Sequence, residues 1–217
     1  MSDQLSRRQK LLYGAGDTGF SLTATIIGAF FAIFLIDVVG LRPALAAAVI
    51  FIGETWDYVN DPLFGYISDR TRSRWGRRRP FLLFGTVPLA LSFAMLWWRP
   101  PLESTTALMA YYVLAYVLFE AAATLTYMPY FALTPELSED YDERTSITSY
   151  RMLFSIVGSL MAFTLPLFIV GSFAPDFAPR IFTMGLLFGV VSALPLLIVF
   201  MSTREKTSYQ AQQRSGL

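Results

Sequence analysis

The chain contains no cysteine. A disulfide, a reactive thiol and a thiolate metal site are therefore excluded. It contains no histidine either, which removes the commonest general base and the commonest metal ligand. Together these absences dismiss most enzyme classes. Charge is also scarce, with Asp, Glu, Lys and Arg at 15% of residues against about 25% in an ordinary globular domain. The net charge of +1 singles out no partner, and no nucleic-acid partner is expected.

What is abundant is hydrophobic sequence, 54% of 217 residues. It comes in long blocks rather than as a stripe along amphipathic helices. A run of about 20 apolar residues lets a helix cross a bilayer, and a helix satisfies its own backbone where lipid cannot. Six blocks qualify, at about residues 12–39, 44–67, 81–98, 107–133, 147–170 and 181–202. The expected fold is an all-α bundle of six transmembrane helices over residues 1–203, followed by a flexible cytoplasmic tail at 204–217. The first block follows Arg7, Arg8 and Lys10 but is too long for a signal peptide, carries Asp17 and lacks a small-residue cleavage site.

Lysine and arginine set the expected orientation. One set of loops and ends holds Arg7, Arg8, Lys10, Arg70, Arg72, Arg74, Arg77, Arg78, Arg79, Arg144, Arg151, Arg204, Lys206 and Arg214. The other holds Arg42, Arg99 and Arg180. The first set is expected to face the cytoplasm, with both termini. On that face an arginine-rich loop after the second block stands opposite an acidic stretch at 135–144, and the two signs are natural partners.

Acids inside the blocks point to function. One acid at the centre of a membrane helix costs about 2.5–3.5 kcal/mol. The second block carries Glu54, Asp57 and Asp61 at i, i+3 and i+7, all on one stripe. Facing lipid, three acids would cost on the order of 10 kcal/mol, so they are expected to line a wet cavity or hold a cation. Asp17 with Ser21, Glu120 with Thr124 and Tyr127, and Arg151 with Ser155 and Ser159 form polar stripes on three further blocks. Packed together, these faces would enclose a polar cavity. Carboxylates there suit Na⁺, Li⁺ or H⁺, and an arginine with hydroxyls suits a polyol. Each of these polar residues also has a structural alternative, as an interfacial charge or a helix-packing hydroxyl.

Residues 65–79 read GYISDRTRSRWGRRR. This resembles the loop between helices two and three of the major facilitator superfamily, G-x-x-x-D-R followed by G-R-R. Three segments are similar, more narrowly, to the glycoside-pentoside-hexuronide:cation symporter family: YGAGDTGFSL at 13–22, WDYVNDPLFGYISDRTRSRWGRRR at 56–79 and YFALTPELSEDYDERTSITSYR at 130–151. The resemblance covers essentially the whole chain. It implies an amino-terminal half-bundle of two inverted three-helix units, and cation-coupled symport of a sugar or glycoside by alternating access in a plasma (inner) membrane. It places the coupling cation, Na⁺ or H⁺, at Asp57, Asn60, Asp61 and Thr124, with no other cofactor. It places substrate near Arg151, with Asp17, Ser21, Glu120 and Tyr127 around it. Ser21 and Tyr127 stand where the family's type member has sugar-contacting acids. It assigns Gly65, Asp69, Arg70, Gly76, Arg77 and Arg78 to a gating loop.

The family has twelve helices in two halves, so a second six-helix half, identical or separate, is an expected partner besides the lipid bilayer. A relative that carries lysolipids leaves a non-sugar substrate open. Two other readings compete. One is a truncated, non-transporting fragment. The other is an intramembrane aspartyl protease, from GAGD at 14–17 and PAL at 43–45, although the Tyr-Asp partner expected ahead of that motif is missing.

Overall fold

A computed structural model describes residues 5–203, and the expected tail at 204–217 lies outside the described residues. The described residues are helical and contain no strand. Each of the six apolar blocks is helical, and the interruptions and ends carry the new information. The first block comprises α1 (Arg7–Gly14) and α2 (Gly16–Ile26), continued by two wide π-helical turns at Ile27–Phe31 and Phe34–Val38. The second is α3 (Pro43–Arg70), with proline at its first position. The third is split at Gly85 into α4 (Arg79–Phe84) and α5 (Thr86–Leu96). Then come α6 (Thr105–Leu137), α7 (Tyr141–Val170) and α8 (Ala178–Ser202), the last preceded by a 3₁₀ turn at Pro175–Phe177.

The acidic stretch differs from expectation. It is not a loop of ten residues, because α6 runs on to Leu137 and α7 already begins at Tyr141. Asp140 caps α7 by accepting a hydrogen bond from the Glu143 N–H at 2.8 Å. Glu136 therefore rides on the end of α6, and Asp142 and Glu143 on the first turn of α7, where negative charge complements the helix dipole.

Three helical stretches are long and apolar enough to cross a membrane: Thr105–Leu137, Tyr141–Val170 and Pro175–Ser202. Prolines at 62, 129, 135, 166 and 195 lie within the helices, as membrane helices tolerate when neighbours satisfy the freed carbonyls.

The closest helix pairs are α2 with α7, α3 with α6, and α5 with α8. Trp97 anchors the apolar core, its ring meeting Phe34 at 5.4 Å, Phe31 at 5.8 Å and Phe93 at 6.1 Å. Small residues let the backbones approach. A Cβ at Gly189 would lie 2.6 Å from the Ala90 carbonyl oxygen, and one at Gly53 would run into the Tyr116 ring. Gly28, by contrast, has open space beside it.

Gly189→Val is expected to push α8 off α5 and to destabilise the bundle by about 1–3 kcal/mol. Its thermal midpoint in detergent should fall below that of the parent, while Gly28→Ala should not fall. A Gly189→Val midpoint equal to the parent's would contradict this packing.

Candidate functional site

The pairing of α3 with α6 places the acid stripe. Asp57, Asp61, Glu120, Thr124 and Tyr127 line one cavity of about 250 Å³, closed also by Phe20, Met128 and Phe131. Thr124 links the two helices, donating to Asp57 Oδ1 at 3.0 Å and accepting from Asn60 Nδ2 at 3.0 Å. Asn60 is fully buried, and its Oδ1 has no partner. An unsatisfied buried acceptor costs about 1–3 kcal/mol, which sets this oxygen apart from the satisfied groups around it. Four of the expected cation-site residues thus fall in one neighbourhood: Asp57, Asp61 and Thr124 on the cavity wall, and Asn60 directly behind Thr124. Among the described residues no group of three acids converges as a metal site.

Glu54, one turn before Asp57, accepts a hydrogen bond from the Tyr116 hydroxyl at 2.7 Å. It faces a second cavity, of about 290 Å³, which shares Phe20, Glu120, Ala123 and Tyr127 with the first. Tyr116 reaches Glu54 because Gly53 leaves room for its ring at the α3–α6 crossing.

Arg151, Asp17 and Ser21 line neither cavity. They meet where α2 packs on α7. Arg151 donates from Nε to Asp17 Oδ2 at 3.1 Å and from Nη2 to Asp17 Oδ1 at 3.2 Å, a two-point fork, and from Nη1 to Thr134 at 3.0 Å. Its guanidinium lies 4.9 Å over the Phe131 ring and 5.2 Å over Tyr130. Phe131 also walls the 250 Å³ cavity, so one ring connects the ion pair to the acid site. Ser21 donates to the Thr18 carbonyl at 3.1 Å and packs against Gly158. Ser159 accepts from Thr25 at 3.1 Å. The expected single cavity is therefore two regions: an acidic one between α3 and α6, and a neutralised ion pair between α2 and α7.

The arginine loop closes one end of the bundle. Arg77 Nη2 meets Glu136 Oε1 at 2.5 Å, and Arg78 Nη1 meets the same oxygen at 3.2 Å. Arg78 also reaches Asp69 at 3.1 Å and the Ala132 carbonyl. The ends of α3 and α6 and the start of α4 are thereby tied together. Gly76 adopts φ +107°, a conformation glycine takes at little cost, and so turns the chain toward α4. Arg70 lies 4.2 Å over the Tyr66 ring. Gly65 faces Met128 across the α3–α6 contact.

Sequence reasoning missed two clusters. Tyr13 donates to the Tyr130 carbonyl at 2.7 Å and shares a 2.8 Å hydrogen bond with Thr134, while Tyr130 donates back to the Tyr13 carbonyl at 2.9 Å. This lattice holds Thr134 where Arg151 uses it. Lys10 pairs with Glu143 at 2.8 Å, and Glu143 also accepts from the Leu5 N–H at 2.7 Å. Tyr13 and Tyr130 fall at the edges of two of the quoted motif segments, the one signal that could have flagged the first cluster. The second had none beyond opposite charge.

Removing one member of a buried pair costs about 3–5 kcal/mol, because the other charge is stranded. Asp17→Ala should therefore lower the thermal midpoint strongly. The double variant Asp17→Ala with Arg151→Met should recover most of that loss. A single Asp17→Ala variant as stable as the parent would show that the pair carries no such strain.

Comparison with known proteins places this geometry. Residues 12–216 match the family described as MFS/sugar transport protein. Uncharacterized symporter sll1374 of Synechocystis is 40% identical over 211 residues, covering 94% of this chain and 39% of that one. Sodium-dependent lysophosphatidylcholine symporter 1-A of Danio rerio is 37% identical over 163 residues, covering 75% and 30%. Inner membrane symporter YicJ of Escherichia coli is 29% identical over 206 residues, covering 94% and 45%. The chain thus spans less than half the length of these curated relatives. They are symporters, transporters rather than enzymes, and the apolar helices agree with a place within the membrane. The chain is an integral membrane protein and belongs to the MFS/sugar transport protein family.

Proposed function

We propose that this chain forms a six-span half of a Na⁺-coupled symporter for a sugar or glycoside, arranged as two inverted three-helix units. Both termini face the cytoplasm, and the membrane is the inner or plasma membrane, by analogy with the bacterial relative so named. The observation that carries this reading is the Asp57–Thr124–Asn60 chain with its unpaired Asn60 Oδ1. Two carboxylates and neutral oxygens suit a monovalent hard cation. A relative is named as sodium-dependent, which favours Na⁺ over H⁺.

In this mechanism Asp57 and Asp61 would hold Na⁺, with the Thr124 hydroxyl and the Asn60 amide oxygen as further oxygen donors, and the bound charge would relieve the repulsion between the two carboxylates. Neutralising the α3 stripe raises affinity for substrate. The coupling runs equally in the other direction, because linkage is reciprocal. Arg151 contributes to the substrate side when its fork to Asp17 opens. Ser21, Glu120 and Tyr127 stand around that path. The Arg77–Glu136–Arg78–Asp69 ties, with Gly65, Arg70 and Gly76, form the gate that releases as this half rocks against a second one. A lysophospholipid is the second reading. It is favoured by the aromatic and aliphatic wall of the 290 Å³ cavity, and by the substrate named for the Danio relative.

Na⁺ should raise the thermal midpoint of the detergent-purified chain above that in KCl of the same ionic strength. Asp61→Asn should erase the difference without lowering the midpoint in KCl. A Na⁺ dependence that survives in Asp61→Asn would overturn the cation site.

A further inference from the structure

Glu54 and Glu120 take no part in the cation shell described above. Each lies one turn before a cation-site residue on its own helix, Glu54 before Asp57 and Glu120 before Thr124. Both line the 290 Å³ cavity. Glu54 accepts one hydrogen bond, from Tyr116. Glu120 is half-buried and has neither a hydrogen bond nor an ion pair among the described residues. No lysine or arginine lines this cavity or its neighbour. The Tyr127 hydroxyl belongs to the same wall, is buried, and meets no partner in hydrogen-bonding geometry. Its polar neighbour Thr23 turns its own proton to the Gly19 and Phe20 carbonyls.

The remaining wall decides which cation fits. It is mostly carbon, with the rings of Phe20, Phe31, Tyr116, Phe119 and Tyr127. A small hard cation needs oxygens close around it on every side, whereas aromatic carbon covers much of this wall. A substituted ammonium has the opposite needs. Its charge is spread over the neighbouring carbons. It takes a carboxylate on one side and aromatic faces on the others, an arrangement that recurs wherever such groups are recognised. Whole-ligand pockets run about 300–1,000 Å³, so this one suits a head group rather than an entire amphiphile.

We propose that the cavity between Glu54 and Glu120 binds a substituted ammonium group. The proposal deepens the symport reading and rests on it, since it takes the α3 stripe to face the substrate path. The group would come either from a choline-type head group or from an amino sugar.

The test is titration of the purified chain with tetramethylammonium chloride, read as thermal midpoint against KCl at equal ionic strength. A saturable rise is expected in the parent and in Asp61→Asn. In Glu54→Gln the apparent Kd should rise at least tenfold while the Na⁺ response stays, and in Glu120→Gln, whose side chain also lines the cation cavity, the apparent Kd should rise at least tenfold. Each variant's midpoint without ligand reports whether it has folded, and two variants guard against the failure of one. No saturable response in the parent, with the Na⁺ response intact, would overturn the ammonium site and leave the symport reading standing. A response lost in Asp61→Asn but kept in both glutamine variants would also overturn it, by moving the ligand to the cation site. If tetramethylammonium binds while Na⁺ has no effect, the cation site fails and the ammonium site survives. Competition by lysophosphatidylcholine or by glucosamine then identifies the source of the group.

Discussion

Carboxylates in an apolar bundle need polar partners or solvent, and α3 carries three of them on one stripe. That constraint organises the contact with α6. Gly53 clears space for Tyr116, whose hydroxyl reaches Glu54. Thr124 serves Asp57 and is served by Asn60. Between these two bridges the helices leave open space rather than packed side chains. An apolar filling would have stranded Asp61 and Glu120 without solvent or partner, so the acids and the cavities belong together.

The bundle meets the same constraint in two ways. At the α2–α7 contact it pairs opposite charges: the Asp17 carboxylate is matched oxygen for nitrogen by the Arg151 fork, and Thr134 and two rings occupy much of the remaining guanidinium surface. At the α3–α6 contact no lysine or arginine lines the acid cavities, and the carboxylates meet hydroxyls and open space instead. Phe131 touches both regions. Movement of that ring is the shortest physical route by which occupancy of the acid cavity could reach the ion pair.

The apolar blocks were legible as helices because burial in lipid demands unbroken runs: each of the six is helical, and three of the stretches are long and apolar enough to cross a membrane. Their ends were less so. The start of α7 depends on the Asp140 cap, and the end of α6 runs through Pro135, where a proline rule taken from soluble helices would have stopped it. The π-helical turns at Ile27–Phe31 and Phe34–Val38 leave no mark in an apolar run. Of the candidate site, the α3 stripe could be read directly, since spacing within one helix fixes which residues share a face. Pairings across helices could not. Arg151 finds Asp17, and Glu143 finds Lys10, only because α7 crosses the first helical stretch, and no spacing in a single sequence encodes that crossing.

The exposed faces of the bundle are unlike one another. Along α7 the outward residues include Met152, Leu153, Ile156, Leu160, Phe163 and Phe168, with Thr164 among them and Asp142, Thr145 and Ser149 toward the start of the helix. Along α3 the outward residues include Phe51, Tyr58 and Val59, but also Thr55 and the acid Glu54. Lipid has nothing to offer a carboxylate. A partner surface with polar groups, or water held between two protein walls, does. The difference between the two helices is the mid-helix carboxylate of Glu54 on α3, a group that a second half, as proposed, would have to satisfy. Glu54 on this face also lines the 290 Å³ cavity.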